Sequence, residues 1–177
     1  ACAAAPVAPI VRLRVRRQDG PERVETRRWE EFDVAAAPGL TVAGALRAIA
    51  ARPVTAGGVT VAPVAWDGDC TDLDCGACTL LIDGRPRPAC GTPLARVARS
   101  GRAVTLEPLA KFPLVRDLVV DRARHGDVLR QLDPAIELGP ERAVARPPAA
   151  RAPDAELARS ALGRCTGCCA CLEVCPQ

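Results

Sequence analysis

The chain has 177 residues, with 24 basic side chains against 21 acidic ones and a formal charge of +3. That balance, with Trp29, Phe32, Trp66 and Phe112 as the only aromatics, argues against a nucleic-acid surface of basic residues interleaved with stacking rings, and no nucleic-acid partner is expected. No apolar run reaches the ~20 residues of a membrane span, and the apolar stretch 1–11 lacks the basic lead of a signal peptide. The expected product is soluble, or held at a membrane by partners.

Along the chain, Val11, Leu13 and Val15 alternate with Arg12, Arg14 and Arg16, the period of a half-buried strand whose polar face is arginine. A second strand is predicted from Trp29 to Val34. Pro38-Gly39 marks a turn, and Thr41 is placed to cap a helix with Val42, Leu46 and Ile49 on its apolar face. Thr79 to Ile82 reads as a strand, Asp83-Gly84 as a hairpin turn, and Ala103 to Leu106 as a closing strand. Beyond Pro108 the pairs Leu114/Leu118, Val115/Val119 and Val128/Leu132 are each four apart, which predicts helix. Residues 140–153 read as a Pro-, Ala- and Arg-rich linker, followed by a short helix from Asp154 to Gly163. The fold class is therefore α+β, with domains over 10–108 and 109–177.

So few aromatics leave a core of Val, Leu, Ile and Ala, for which a covalent or metal staple is an expected supplement. Ten cysteines supply candidates, and apart from Cys2 they fall in two groups, with none over 91–164. Clustering with repeated C-x2-C spacing suits metal ligation in a reducing compartment better than a disulfide framework. The first group, Cys70, Cys75, Cys78 and Cys90, has the spacing C-x4-C-x2-C-x11-C. Two irons bridged by two sulfides need two more ligands each, and the x4-x2 run opens the plant-type ferredoxin pattern. Gly76 and Ala77 leave room for backbone to wrap an inorganic sulfur and aim N–H groups at it, and the Asp83-Gly84 hairpin can return Cys90 to the same place. A structural zinc site, which also takes four thiolates, is the alternative.

The second group contains C-x2-C-x2-C-x3-C-P: Cys165, Cys168, Cys171 and Cys175 before Pro176. That is the bacterial ferredoxin run, whose first three cysteines hold one cubane and whose fourth ligates another cluster. Both clusters then need thiolates beyond this run. Cys169 reads as a packed free thiol and Cys2 as a tail thiol.

Together these motifs resemble the iron–sulfur subunit of succinate dehydrogenase and fumarate reductase. The likeness runs from about Val11 to Pro176 and is clearest in VAWDGDCTDLDCGACTLLIDGRPRPAC, LEPLAKFPLVRDLVVDR and CTGCCACLEVCP. The CGAC core and the FPLVRDLVVD segment look like the menaquinone-linked branch, whereas molybdenum-hydroxylase subunits, which share the C-x4-C-x2-C opening, lack the FPLVRDL segment. The resemblance implies a β-grasp ferredoxin-like domain followed by a partial helical ferredoxin domain of the 4Fe-4S type, C-terminally truncated relative to the family. It also implies an electron wire rather than a site of substrate chemistry. Electrons would pass from the FAD of a flavoprotein subunit that interconverts succinate and fumarate, through 2Fe-2S, 4Fe-4S and 3Fe-4S centres, to a quinone near membrane-anchor subunits. By that pattern Cys70, Cys75, Cys78 and Cys90 hold the first centre. Cys165, Cys168 and Cys171 are three of four ligands of the second, and Cys175 is one of three for the third. The location implied is the cytoplasmic side of the inner membrane, peripheral through partners. A free-standing ferredoxin-like carrier with one 2Fe-2S centre and a zinc-stabilised interaction module are the rival readings.

Asp74 stands where the family more often has an apolar residue, and with Asp69 and Asp72 it adds negative charge beside the first centre, so a lowered reduction potential is expected. His125, the only histidine, is expected to be solvated at a helix end, and Trp66 to pack near the cluster loop and exclude water. No catalytic triad, phosphate loop or paired-carboxylate site emerges.

Overall fold

The computed structural model describes residues 8–68, 70, 75–99, 101–132 and 165–177. The expected linker 140–153, the helix expected after Asp154, Cys2, and Asp69, Asp72 and Asp74 lie outside the described residues.

The first strand, β1 (Ile10–Arg17), pairs antiparallel with β2 (Arg28–Ala35) over the full length of both, Leu13 opposite Phe32 and Val15 opposite Glu30. Its even positions carry the predicted arginine face. Arg12 donates to both carboxylate oxygens of Asp33 at 2.8 and 2.9 Å, and this hydrogen bond holds the Asp33 carboxyl below the ordinary carboxylate range. Arg14 lies over the Trp29 ring at 4.7 Å, and Arg16 meets Glu107 at 3.4 Å. Of the odd positions Leu13 and Val15 are buried and Val11 is half-buried, and β1 runs one residue farther than the apolar pattern shows: Arg17 is fully buried too.

Helix α1 (Val42–Ala51) begins as predicted, with the Thr41 hydroxyl accepting from Gly44 N at 3.2 Å. Val42, Leu46 and Ile49, joined by Ala43 and Ala45, bury the face turned to the core. Strands β3 (Thr79–Ile82) and β4 (Arg85–Pro88) form the predicted hairpin, with Asp83 (φ 50°) and Gly84 (φ 72°) both left-handed, the backbone such a two-residue turn requires. After the short helix α2 (Leu94–Val97), β5 (Val104–Glu107) enters the middle of the sheet, parallel to β1 and antiparallel to β3. The strand order β2-β1-β5-β3-β4, with a helix covering a mixed sheet, is the β-grasp arrangement expected. Leu13, Phe32, Leu46, Ile82, Leu94 and Leu106 fill the core. Each such side chain contributes roughly 1.5–3 kcal/mol by leaving water.

The prediction of helix over 114–119 is overturned. Leu114–Arg116 and Val119–Val120 form a second small antiparallel pair, β6 and β7, turning at Asp117 (φ 48°) and Leu118. Apolar residues four apart satisfy a period of two as well as one of 3.6, and here β-branched valines flank a residue that tolerates the left-handed turn. The Val128/Leu132 pair does fall in helix, α3 (Ala123–Leu132), and a last short helix, α4 (Ala170–Val174), closes the described chain.

The β6–β7 turn docks on the β-grasp domain through buried charge. Asp117 Oδ1 accepts from Gln18 N at 3.1 Å and Oδ2 from Ala65 N at 3.0 Å, while Asp117 N donates to Gln18 O. Arg17 Nε lies 3.0 Å from Asp117 Oδ1, an ion pair without hydrogen-bond alignment, and both side chains are fully buried. The guanidinium also binds Glu30 at 2.5 Å and the carbonyls of Ala62 and Pro63 at 3.0 and 3.3 Å. One arginine thus ties two strands, the turn, and the loop that leads toward Cys70.

Candidate metal centre

The four cysteines of the first group sit on different parts of the β-grasp frame. Cys70 and Cys75 lie in the loop before β3, Cys78 directly precedes β3, and Cys90 follows β4, so the β3–β4 hairpin carries the chain back between the last two. The sulfurs gather as two pairs: Cys70 and Cys75 Sγ are 3.0 Å apart, and Cys78 and Cys90 Sγ are 3.3 Å apart. Backbone amides point at them, with Cys75 N donating to Cys70 Sγ at 3.5 Å and Cys90 N to Cys78 Sγ at 3.4 Å. Among the described residues no three Cys, His, Asp or Glu converge on one point as a single metal ion would need. Two pairs of thiols with sulfur-directed amides suit two irons, each taking two thiolates.

The surroundings exclude water on one side. Cys78 is buried within the main core, and Trp66 and Cys90 pack against it. Trp66 also covers Gly68 so closely that a Cβ there would lie 2.1 Å from the ring, while Arg47 from α1 stacks 5.8 Å from the ring centre. Trp66 therefore packs at the approach to the cysteine loop.

The second group is packed onto the first. Gly76, in the left-handed region at φ 64°, touches it so closely that a Cβ would meet Thr166 O at 2.7 Å and Cys168 Cα at 2.8 Å. Cys169, also left-handed at φ 62°, caps α4 and is buried with Leu109 and Val120 against Leu81 and Phe112. Its thiol donates to Gly167 O at 3.2 Å, and burial pushes its pKa up to about 11, opposed by the nearby Arg122 charge. It is a packed thiol, as the sequence suggested. Cys165 and Cys171 are exposed, Cys168 and Cys175 half-buried, and Gly167 N donates to Cys165 Sγ at 3.4 Å. Those four are not gathered into one ligand set. Glu173 accepts from Ala110 N and Lys111 N at 3.0 and 3.1 Å, and Lys111 Nζ reaches the Cys175 carbonyl.

Three residues around the centre escaped sequence reasoning: Arg17, Asp117 and Arg122. An arginine shows no periodic signal, but Asp117, set between two valine-bearing strands, carried a turn signal that the four-residue spacing obscured. His125 differs from expectation as well. It lies at a helix end as expected, in the first turn of α3, but is half-buried with Nε2 shielded from solvent rather than solvated.

A β-grasp sheet with a cysteine loop before its β3–β4 hairpin defines a ferredoxin-type iron–sulfur domain. The chain belongs to the family described as "2Fe-2S iron-sulfur cluster binding domain", whose profile matches residues 12–127. It is 36% identical to the succinate dehydrogenase iron-sulfur subunit of Bacillus subtilis over 94% of this chain and 64% of that protein. It is 27% identical to the fumarate reductase iron-sulfur subunit of Wolinella succinogenes over 94% of this chain and 66% of that protein. Among solved structures, a chain of the Mycobacterium smegmatis Sdh1 complex in the apo form superposes with a TM-score of 0.69 at 26% identity, covering 96% of this chain and 64% of that one. The chain thus spans about two thirds of the length of these relatives.

Proposed function

We propose that this chain is an electron-transfer subunit that passes electrons between a flavoprotein subunit, where FAD interconverts succinate and fumarate, and a membrane quinone reached through anchor subunits. The observation that carries this reading is the extent of the likeness. Similarity to subunits of both enzymes covers 94% of the chain and so runs through both cysteine groups, whereas a free-standing carrier would need only the first.

In this reading Cys70 with Cys75, and Cys78 with Cys90, hold the two irons of a 2Fe-2S centre, which takes up and returns one electron. The amides of Cys75 and Cys90 hydrogen-bond the ligand sulfurs, and the packing of Cys78 and Trp66 keeps water from one flank. Cys165, Cys168 and Cys171 supply three thiolates to a 4Fe-4S centre, and Cys175 supplies one to a 3Fe-4S centre. Residues 10–108 and 109–177 are taken as the two domains. The chain sits on the cytoplasmic face of the inner membrane through its partners; among the described residues no helix is long and apolar enough to cross a membrane.

The test is purification of the tagged chain from detergent-solubilised membranes of its own host. Co-purification with a flavin-bearing subunit and succinate-dependent quinone reduction are expected. A lone chain with about two irons and no flavin would establish the free carrier instead, and zinc in place of iron the interaction module.

A further inference from the structure

Arg122 lies at the junction of the two cysteine groups, and neither the strand pattern nor the ligand spacing accounts for it. Its backbone is fixed by the start of α3, where its carbonyl accepts from His125 N and Gly126 N at 3.0 and 3.3 Å, and the Asp121 carboxylate accepts from Ala123 N at 2.8 Å. The side chain runs to the first cysteine loop. One terminal nitrogen donates to Gly76 O at 3.1 Å and the other to Thr79 O at 2.9 Å, bracketing Ala77 and Cys78. Nε is buried without a hydrogen-bond partner. Among the described residues no carboxylate is paired with Arg122, and its described partners are the two carbonyls. The same charge acts on Cys169 in the second group, and Gly76, which Arg122 holds, is the residue that touches Cys168.

A permanently charged guanidinium with little solvent around it is costly to keep unless something nearby becomes negative. A 2Fe-2S centre gains one negative charge on reduction. We propose that Arg122 is a positioning residue shared by the two cysteine groups: it pins the Gly76–Thr79 backbone and keeps a positive charge beside the first centre, which raises that centre's reduction potential. The step it favours is uptake of one electron by the centre, from reduced flavin in the complex or from dithionite in a titration.

This inference rests on the assignment of a 2Fe-2S centre to Cys70, Cys75, Cys78 and Cys90, and not on the succinate–quinone reading. The full chain is purified anaerobically with its iron, and the reduced 2Fe-2S signal is followed by EPR during a dithionite titration of the parent, Arg122→Gln and Arg122→Lys proteins. Arg122→Gln is expected to lower the ratio of reduced to oxidised centre at a fixed ambient potential about tenfold, equivalent to ~59 mV for one electron. Arg122→Lys, which keeps the charge, is expected to stay within about threefold of the parent on the same scale.

An unchanged potential in Arg122→Gln would overturn the proposal, and so would a drop in Arg122→Lys as large as that in Arg122→Gln. If Arg122→Gln takes up no iron, the Arg122→Lys potential decides alone by the same threshold. Loss of the centre from both variants would reduce Arg122 to a structural residue and overturn its charge role. A parent chain without the 2Fe-2S signal would overturn the ligand assignment and this inference together, while failure to find a flavoprotein partner would leave it standing.

Discussion

Arg17 occupies the inner face of β1, where the alternation calls for an apolar side chain, and the fold surrounds it with Glu30, Asp117 and two carbonyls. Removing one member of a buried pair strands the other charge without water. Arg17→Met is therefore expected to cost roughly 3–5 kcal/mol, measured by denaturant unfolding of the full chain. Asp117→Asn is expected to cost less, because asparagine tolerates the left-handed turn, its single amide oxygen still accepts from one of Gln18 N and Ala65 N, and Arg17 keeps Glu30, although the other backbone amide then faces the NH2 group. A second prediction at this scale concerns Asp74, adjacent to Cys75 in the chain. Its negative charge opposes the added electron, so Asp74→Val should raise the potential of the first centre, and an unchanged midpoint in the same redox titration would sink the idea.

The β3–β4 hairpin shows how one element sets the site. Asp83 and Gly84 reverse the chain in two residues, and Cys90 returns beside Cys78. A Cβ on Gly84 would touch nothing within 4 Å, so the cost of Gly84→Ala is conformational alone, about 1–2 kcal/mol by thermal unfolding. Gly76→Ala adds a collision with the backbone of Thr166 and Cys168 to the same strain, and should cost distinctly more in the same assay. The Asp83-Gly84 turn was legible because an Asp-Gly pair between strands has one dominant conformation. The β6–β7 pair was not, because its four-residue spacings fit both periods and its docking partner, the end of β1, is remote in sequence. The gathering of Cys70 with Cys75 and of Cys78 with Cys90 was legible from spacing. The clamps that fix their loop were not, because Arg17 and Arg122 act on backbone carbonyls that carry no sequence signature.

At the scale of the whole molecule, residues 165–177 are fastened to residues 109–120 at points that involve no iron. Glu173 caps the amides of Ala110 and Lys111, and Cys169 fills the small apolar cluster of Leu109 and Val120. Removing the cap by Glu173→Ala should loosen this segment by about 1 kcal/mol. Limited proteolysis would read this as faster cleavage within 165–177, while the unfolding midpoint of the β-grasp part stays close to the parent. Spacing suggested metal chemistry for this segment and a packed thiol at Cys169, but it could not show that this thiol helps hold the segment in place.

The burial of Cys169 has a consequence for how the protein matures. A flexible cysteine tail must lose its conformational freedom at the moment iron and sulfide arrive, and that loss weakens capture. In the proposed function the packing of Cys169 with Leu109 and Val120 needs no metal and would offset part of that loss for the neighbouring Cys168 and Cys171. A scaffold or carrier delivering a preassembled cluster would meet a docked acceptor rather than a searching strand.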